Sequence, residues 1–163
     1  MSTVKRHQIT VILEDIRSAL NVGAIFRTSD GALIEKLCLT GITPYPPHNR
    51  IPKTALGSID TVPWEQNRNS QQVVEQIAKQ MPIIAIELTD DAEIYTDFDF
   101  PAPTAIILGN EITGVSKANL KQCVRIVKIP MYGLKESLNV ATAYGIVVYE
   151  IIRQYKLKGI IKC

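Results

Sequence analysis

Three short stretches hold nearly every residue of this chain able to do chemistry: Asn21 to Thr28, Leu108 to Lys117 and Ile129 to Ala141. In the first, Asn21 can cap a helix, and Arg27 follows less than two turns later. Its guanidinium is permanently charged, and a long helical side chain leans back toward the helix start. The pair could serve a polar or anionic ligand there, or act as a simple cap and a solvated cation. In the second, Gly109 lets a ligand approach the backbone and Glu111 offers a carboxylate as hydrogen-bond acceptor. In the third, Pro130 ends a strand, Gly133 bends the loop, and Ser137 or Asn139 starts a helix. Capping by Ser137 alone would explain one polar residue and leave Asn139 without a role.

Several chemistries are excluded by the same residues. Gly109 and Gly114 have the spacing of a phosphate-binding loop, but Val115 stands where its lysine belongs, and Lys117 is displaced. Glu111 would also place a carboxylate against a polyphosphate, so a nucleoside triphosphate is not the expected ligand. No Gly-x-Gly-x-x-Gly occurs, which argues against a dinucleotide. Cys38, Cys123 and Cys163 are scattered, and His7 and His48 are isolated, so neither a metal site nor thiol catalysis is expected. No apolar run of about 20 residues exists to span a membrane. The stretch from Met1 to His7 is polar, unlike a secretory signal, so the expected location is cytoplasmic. A net charge of +2 neither announces nor forbids nucleic acid.

The elements that must position these stretches alternate in type. Ile9–Leu13, Lys36–Thr40, Ile83–Ile86, Thr104–Leu108 and Arg125–Ile129 read as strands, several of them continuously apolar as in a parallel sheet covered on both faces. Val22 to Ala32 has helical spacing, with Val22, Ile25, Phe26 and Ser29 on one face. Ser70 to Gln80 is predicted helical with Ser70 as N-cap, and Asn139 to Lys156 is the last and longest helix. Gly41 to Trp64, rich in proline, reads as a long loop with short pieces of structure. The expectation is a single α/β domain over residues 1–163, a parallel sheet flanked by helices. In such a fold ligands sit beyond the carboxyl ends of the strands, where all three stretches fall.

Taken together, the three stretches resemble the signature motifs of the SpoU (TrmH-like) RNA 2′-O-ribose methyltransferases of the SPOUT superfamily. They are Asn-x-Gly-x-x-x-Arg-Thr (Asn21–Thr28), Leu-Gly-x-Glu-x-x-Gly (Leu108–Gly114) and Ile-Pro-Met-x-Gly-x-x-x-Ser-Leu-Asn-Val-Ala (Ile129–Ala141). They occur in the family's order across nearly the whole chain, and Lys53–Gly57 and Val62–Trp64 look like its middle segment. The resemblance implies a homodimer and a deep trefoil knot near the C-terminus, with the chain from about Ile83 onward threaded so that the second and third stretches lie together. It implies S-adenosyl-L-methionine as cofactor, held mainly by backbone groups at Gly109, Ile129 and Leu138, with Ile86 a further contact and Leu108 and Met131 beside the adenine.

By the same resemblance Arg27 is catalytic and helps remove the proton of a ribose 2′-hydroxyl, assisted by Ser137, while Asn21, Glu111 and Asn139 shape the pocket. A guanidinium stays protonated above about pH 12, so Arg27 could instead bind a neighbouring phosphate and position the hydroxyl. The implied partner is RNA, either tRNA or rRNA. Candidate phosphate contacts are Lys5, Arg6, Arg50, Lys53, Arg153, Lys156, Lys158 and Lys162. The alternative is a SPOUT-fold protein that binds RNA or cofactor without turnover.

Overall fold

The structure, a computed structural model, describes residues 4–162; Cys163 and the first three residues lie outside that range. Among the described residues seven strands form one sheet: β1 (His7–Glu14), β2 (Ile34–Thr40), β3 (Trp64–Asn67), β4 (Ile83–Ile86), β5 (Glu93–Ile94), β6 (Thr104–Leu108) and β7 (Arg125–Lys128). Their order is β3-β2-β1-β6-β4-β7-β5, and every neighbouring pair is parallel. The chain therefore builds outward from β1 through β2 to β3, then crosses to the other side for the remaining four strands. A ligand crevice belongs where that order reverses, beyond the carboxyl ends of the central strands.

Among the described residues five helices accompany the sheet: α1 (Ala19–Gly31), α2 (Pro52–Ala55), α3 (Ser70–Ala78), α4 (Lys117–Leu120) and α5 (Val140–Leu157). Side chains alternate across a strand, and β1 shows the result. Ile9, Val11 and Leu13 join the larger core with Val22, Ile25 and Phe26 of α1 and Tyr144, Val147 and Ile151 of α5. Ile12 joins a second core with Val73, Val74 and Ile77 of α3. Burial on both faces is why these strands read as unbroken apolar runs. Among the buried polar groups, Ser29 and Tyr144 share a hydrogen bond of 2.7 Å that ties α1 to α5.

The sequence expectation holds for the face of α1, since Val22, Ile25, Phe26 and Ser29 are all buried. Two caps differ from it. α1 starts earlier than Val22, with Ser18 as its N-cap accepting from the Asn21 N–H, so Asn21 lies inside the first turn. α3 is capped by Asn69, whose Oδ1 accepts from the Gln72 N–H at 3.1 Å, while the Ser70 hydroxyl faces Glu14 and Asn119. For α5 the sequence left Ser137 and Asn139 open, and Asn139 is the cap. In each case the residue with no competing tertiary partner, or the one whose oxygen reaches the free N–H groups, takes the cap. The loop after β2 holds α2 and a single 3-10 turn at Ser58–Asp60.

Gly23, one of the motif glycines, has a packing role. A Cβ there would lie 2.1 Å from Thr54 Oγ1 and 2.4 Å from the Ile51 carbonyl, so α1 and α2 touch backbone to side chain. Thr54 Oγ1 uses the close approach to donate to the Leu20 carbonyl at 2.8 Å.

Candidate functional site

A cleft of about 690 Å³ opens at the carboxyl ends of β4, β6 and β7. That volume falls in the range of small-molecule sites, roughly 300–1,000 Å³. One wall is apolar, from Ile86, Leu108, Ile129, Met131 and Leu138; Glu87, Glu111, Glu136, Ser137 and Asn139 supply polar groups. The second and third sequence stretches thus face each other across one space. A flat aromatic group fits the apolar wall, and a cationic group suits the carboxylates.

Side chains knit the three stretches together at its edge. The Glu111 carboxylate accepts from the backbone N–H of Arg17, with its two oxygens at 3.1 and 2.9 Å, and from the N–H of Ser18 at 3.3 Å. Its Oε1 also accepts from Asn21 Nδ2 at 3.4 Å. Asn21 Oδ1 in turn accepts from Asn139 Nδ2 at 3.1 Å, and Asn139 Oδ1 accepts from the N–H groups of Ala141 and Thr142. Glu111 therefore sits at the positive start of α1, and Asn139 at that of α5. Partial burial pushes the Glu111 carboxyl up, but the N–H groups of Arg17, Glu111 itself and Ser18, with the Asn21 amide, outweigh it and hold it below its ordinary 4.5.

A buried carboxylate braces the same region from behind. Glu14, at the end of β1, accepts from the Ser116 N–H at 3.1 Å and from Asn119 Nδ2 at 2.8 Å. Asn110 Nδ2 donates to the Asp15 carbonyl at 2.9 Å, while its Oδ1 accepts from Ile112 and Thr113. The loop after β6 is thereby fixed to the end of β1 on two sides. Gly109 has a local reason beyond any ligand, since a Cβ there would meet Val115 N at 2.2 Å and the Gly114 carbonyl carbon at 2.3 Å. Its smallness lets the loop fold onto itself through the Asn110–Gly114 bridge.

Ile86, Leu108, Gly109, Glu111, Ile129, Met131, Ser137, Leu138 and Asn139 all line the cleft. Asn21 is joined to it through Glu111 and Asn139. Arg27 stands apart: it is exposed on α1, outside the lining, and makes no hydrogen bond or ion pair within the described residues. Glu14, Glu87 and Asn110 escaped the sequence reading; an acid directly after an apolar strand was the available signal for Glu14 and Glu87. Of the basic candidates, Arg6 is engaged by the carbonyls of Ile34 and Thr61, Arg153 by Glu150, and Lys158 by Asp99 and the Phe100 carbonyl. Cys38 and Cys123 are isolated, and burial pushes each thiol up to about 12, which leaves them unreactive.

Comparison with known proteins agrees with this geometry. The family described as SpoU rRNA Methylase matches residues 8–149. A tRNA (guanosine(18)-2′-O)-methyltransferase of Escherichia coli is 30% identical over 159 residues, covering 95% of this chain and 67% of that protein. The crystal structure of the Aquifex aeolicus TrmH/SpoU tRNA modifying enzyme superposes with a TM-score of 0.84 at 29% identity, over 95% of this chain and 79% of that one. The SpoU methyltransferase AviRb of Streptomyces viridochromogenes, in complex with AdoMet, gives a TM-score of 0.85 at 26% identity, over 94% of this chain and 63% of that one.

Proposed function

The chain belongs to the SpoU rRNA methylase family, and on that premise we propose that it methylates a ribose 2′-hydroxyl of tRNA or rRNA, with S-adenosylmethionine as donor. The observation that carries the reading is the meeting of the loops after β4, β6 and β7 in one cleft, knitted to the start of α1 by Glu111, Asn21 and Asn139. When bound, the donor supplies a methyl group made electrophilic by its sulfonium.

The residues present fit that group. Ile86, Leu108, Ile129, Met131 and Leu138 form an apolar wall for adenine, and backbone groups at Gly109, Ile129 and Leu138 are close enough to the cleft to fix its polar edge. The neighbouring carboxylates favour a cation over a neutral molecule. Ser137, exposed on the rim with no capping duty, is free to hydrogen-bond the incoming hydroxyl. Arg27 has no internal partner to give up and is assigned to the phosphate next to the target sugar, where it orients the hydroxyl. Its guanidinium stays charged, so alignment is the greater part of its contribution. Asn21, Glu111 and Asn139 hold α1, the loop after β6 and the start of α5 in register.

The chain is further proposed to work as a cytoplasmic homodimer, with residues 1–163 acting as one domain and its C-terminal part knotted. The strand order supports the knot: β6 lies between β1 and β4, β7 beside β4, and β5 outside both. Lys5, Arg50, Lys53 and Lys162 are exposed and suit RNA phosphates.

Calorimetry with S-adenosylmethionine, followed by transfer of a tritiated methyl group to bulk tRNA and rRNA, tests the reading. Binding in the micromolar range and alkali-stable labelling of one RNA class are expected. Binding with no transfer to either class would favour a non-catalytic RNA- or cofactor-binding protein.

A further inference from the structure

We propose that Glu87 holds the ribose of the bound methyl donor through its hydroxyls. The inference rests on the cofactor reading of the cleft and adds a side-chain contact to a site otherwise built from backbone and apolar groups. Glu87 directly follows β4 and lines the cleft. Its backbone N–H donates to the Val127 carbonyl at 3.0 Å, so its main chain continues the β4–β7 pairing. Its Oε1 accepts from the Val115 N–H at 2.6 Å.

Gly114 makes room for that carboxylate. It adopts φ +71°, and a Cβ there would lie 2.5 Å from Glu87 Oε1 and 3.3 Å from Oε2. The acid is thus pinned against the loop after β6 by one N–H, on a surface with no side chain in the way. A carboxylate offers about four acceptor positions, and the Val115 N–H uses one of them. Glu87 lines the cleft and has no ion-pair partner among the described residues.

The cofactor carries three kinds of donor: an ammonium, an adenine amino group and two ribose hydroxyls. Glu87 directly follows Ile86 and shares the cleft lining with Leu108, two residues of the apolar wall that suits adenine. The adenine amino group and the ribose hydroxyls are the donors nearest that wall, and of these only the sugar offers two adjacent hydroxyls that a carboxylate can take together. The amino-acid end is farther along the molecule and bears a carboxylate that Glu87 would repel. An acidic residue taking ribose hydroxyls beyond a parallel strand is sound chemistry elsewhere.

The test is calorimetry on the full chain, wild type and Glu87→Gln, with S-adenosylhomocysteine, 5′-methylthioadenosine and the 2′,3′-dideoxy analogue of the latter. The amide introduced by this substitution keeps an acceptor for the Val115 N–H, and a thermal melt checks the fold. The substitution should weaken the first two ligands by a common factor of about tenfold, as loss of a charge-assisted hydrogen bond does. The dideoxy analogue should bind both proteins equally. Loss confined to S-adenosylhomocysteine would mean an ammonium contact and overturn the assignment. Unchanged affinities, with or without a lower melting temperature, would leave Glu87 as a loop staple and overturn it too. A wild-type chain that binds none of the three would overturn the cofactor reading and this inference together.

Discussion

Asn139 and Asn21, 118 positions apart, meet side chain to side chain, with Asn139 Nδ2 donating to Asn21 Oδ1 at 3.1 Å. The same Asn139 caps α5 through its Oδ1. One residue therefore joins the starts of two helices, and each half of its amide has a separate task. Only a side chain with a donor and an acceptor at its tip can do both.

The two tasks should separate on substitution. Asn139→Asp keeps an acceptor for the Ala141 and Thr142 N–H groups but loses the donor to Asn21. We expect stability within about 1 kcal/mol of wild type, and methyl transfer reduced roughly tenfold. Asn139→Ala should lose about 1 kcal/mol of stability as well. Urea unfolding and single-turnover methylation of the two variants check the division.

Arg27→Ala should leave the fold and cofactor affinity intact, because the side chain is exposed and makes no internal bond. Methyl transfer should fall by about a hundredfold or more, the scale of a lost positioning contact. Near-normal turnover of the variant would remove Arg27 from the catalytic machinery.

Glu111 predicts an acid-labile contribution to stability. Its carboxyl titrates lower in the folded chain than its ordinary 4.5, so the deprotonated form favours the native state. That contribution is complete above the ordinary value and disappears as pH falls through the lower, folded one. The stability difference between wild type and Glu111→Gln, read from urea melts, should hold from neutrality to about pH 5 and shrink below it. A difference that grows on acidification would contradict the hydrogen bonds from Arg17 and Ser18.

Gly23→Ala sets two effects against each other. Within a helix, alanine in place of glycine stabilises by roughly 0.5–1 kcal/mol. Here the new methyl would approach Thr54 Oγ1 to 2.1 Å and the Ile51 carbonyl to 2.4 Å. Such overpacking costs about 1–3 kcal/mol, and the repulsion wins. A lower melting temperature is expected; an unchanged or higher one would show that α2 moves aside freely.

Much of this architecture was legible in the sequence because burial on both faces leaves unbroken apolar runs, as in Ile9–Leu13 and Thr104–Leu108. Strand β3, Trp64-Glu65-Gln66-Asn67, is polar enough to read as loop, and β5 has two residues; both are strands only because β2 and β7 offer them partners. The misplaced caps have a similar cause. Ser18, Asn21, Asn69, Ser70, Ser137 and Asn139 can all cap, and tertiary hydrogen bonds choose among them. Cleft residues were legible as loop motifs after strands. The approach of Glu87 to Gly114 was not, because no local pattern records which two loops will meet.

The shortness of β3 and β5 has a last consequence. They are the two margins of the sheet, four and two residues long, and β3 carries the Lys36–Glu65 ion pair on its flank. Stubs of that size offer few open peptide groups to a stranger's backbone. Accretion into fibrils by strand addition is disfavoured at both borders, and any self-association is directed to the helical flanks.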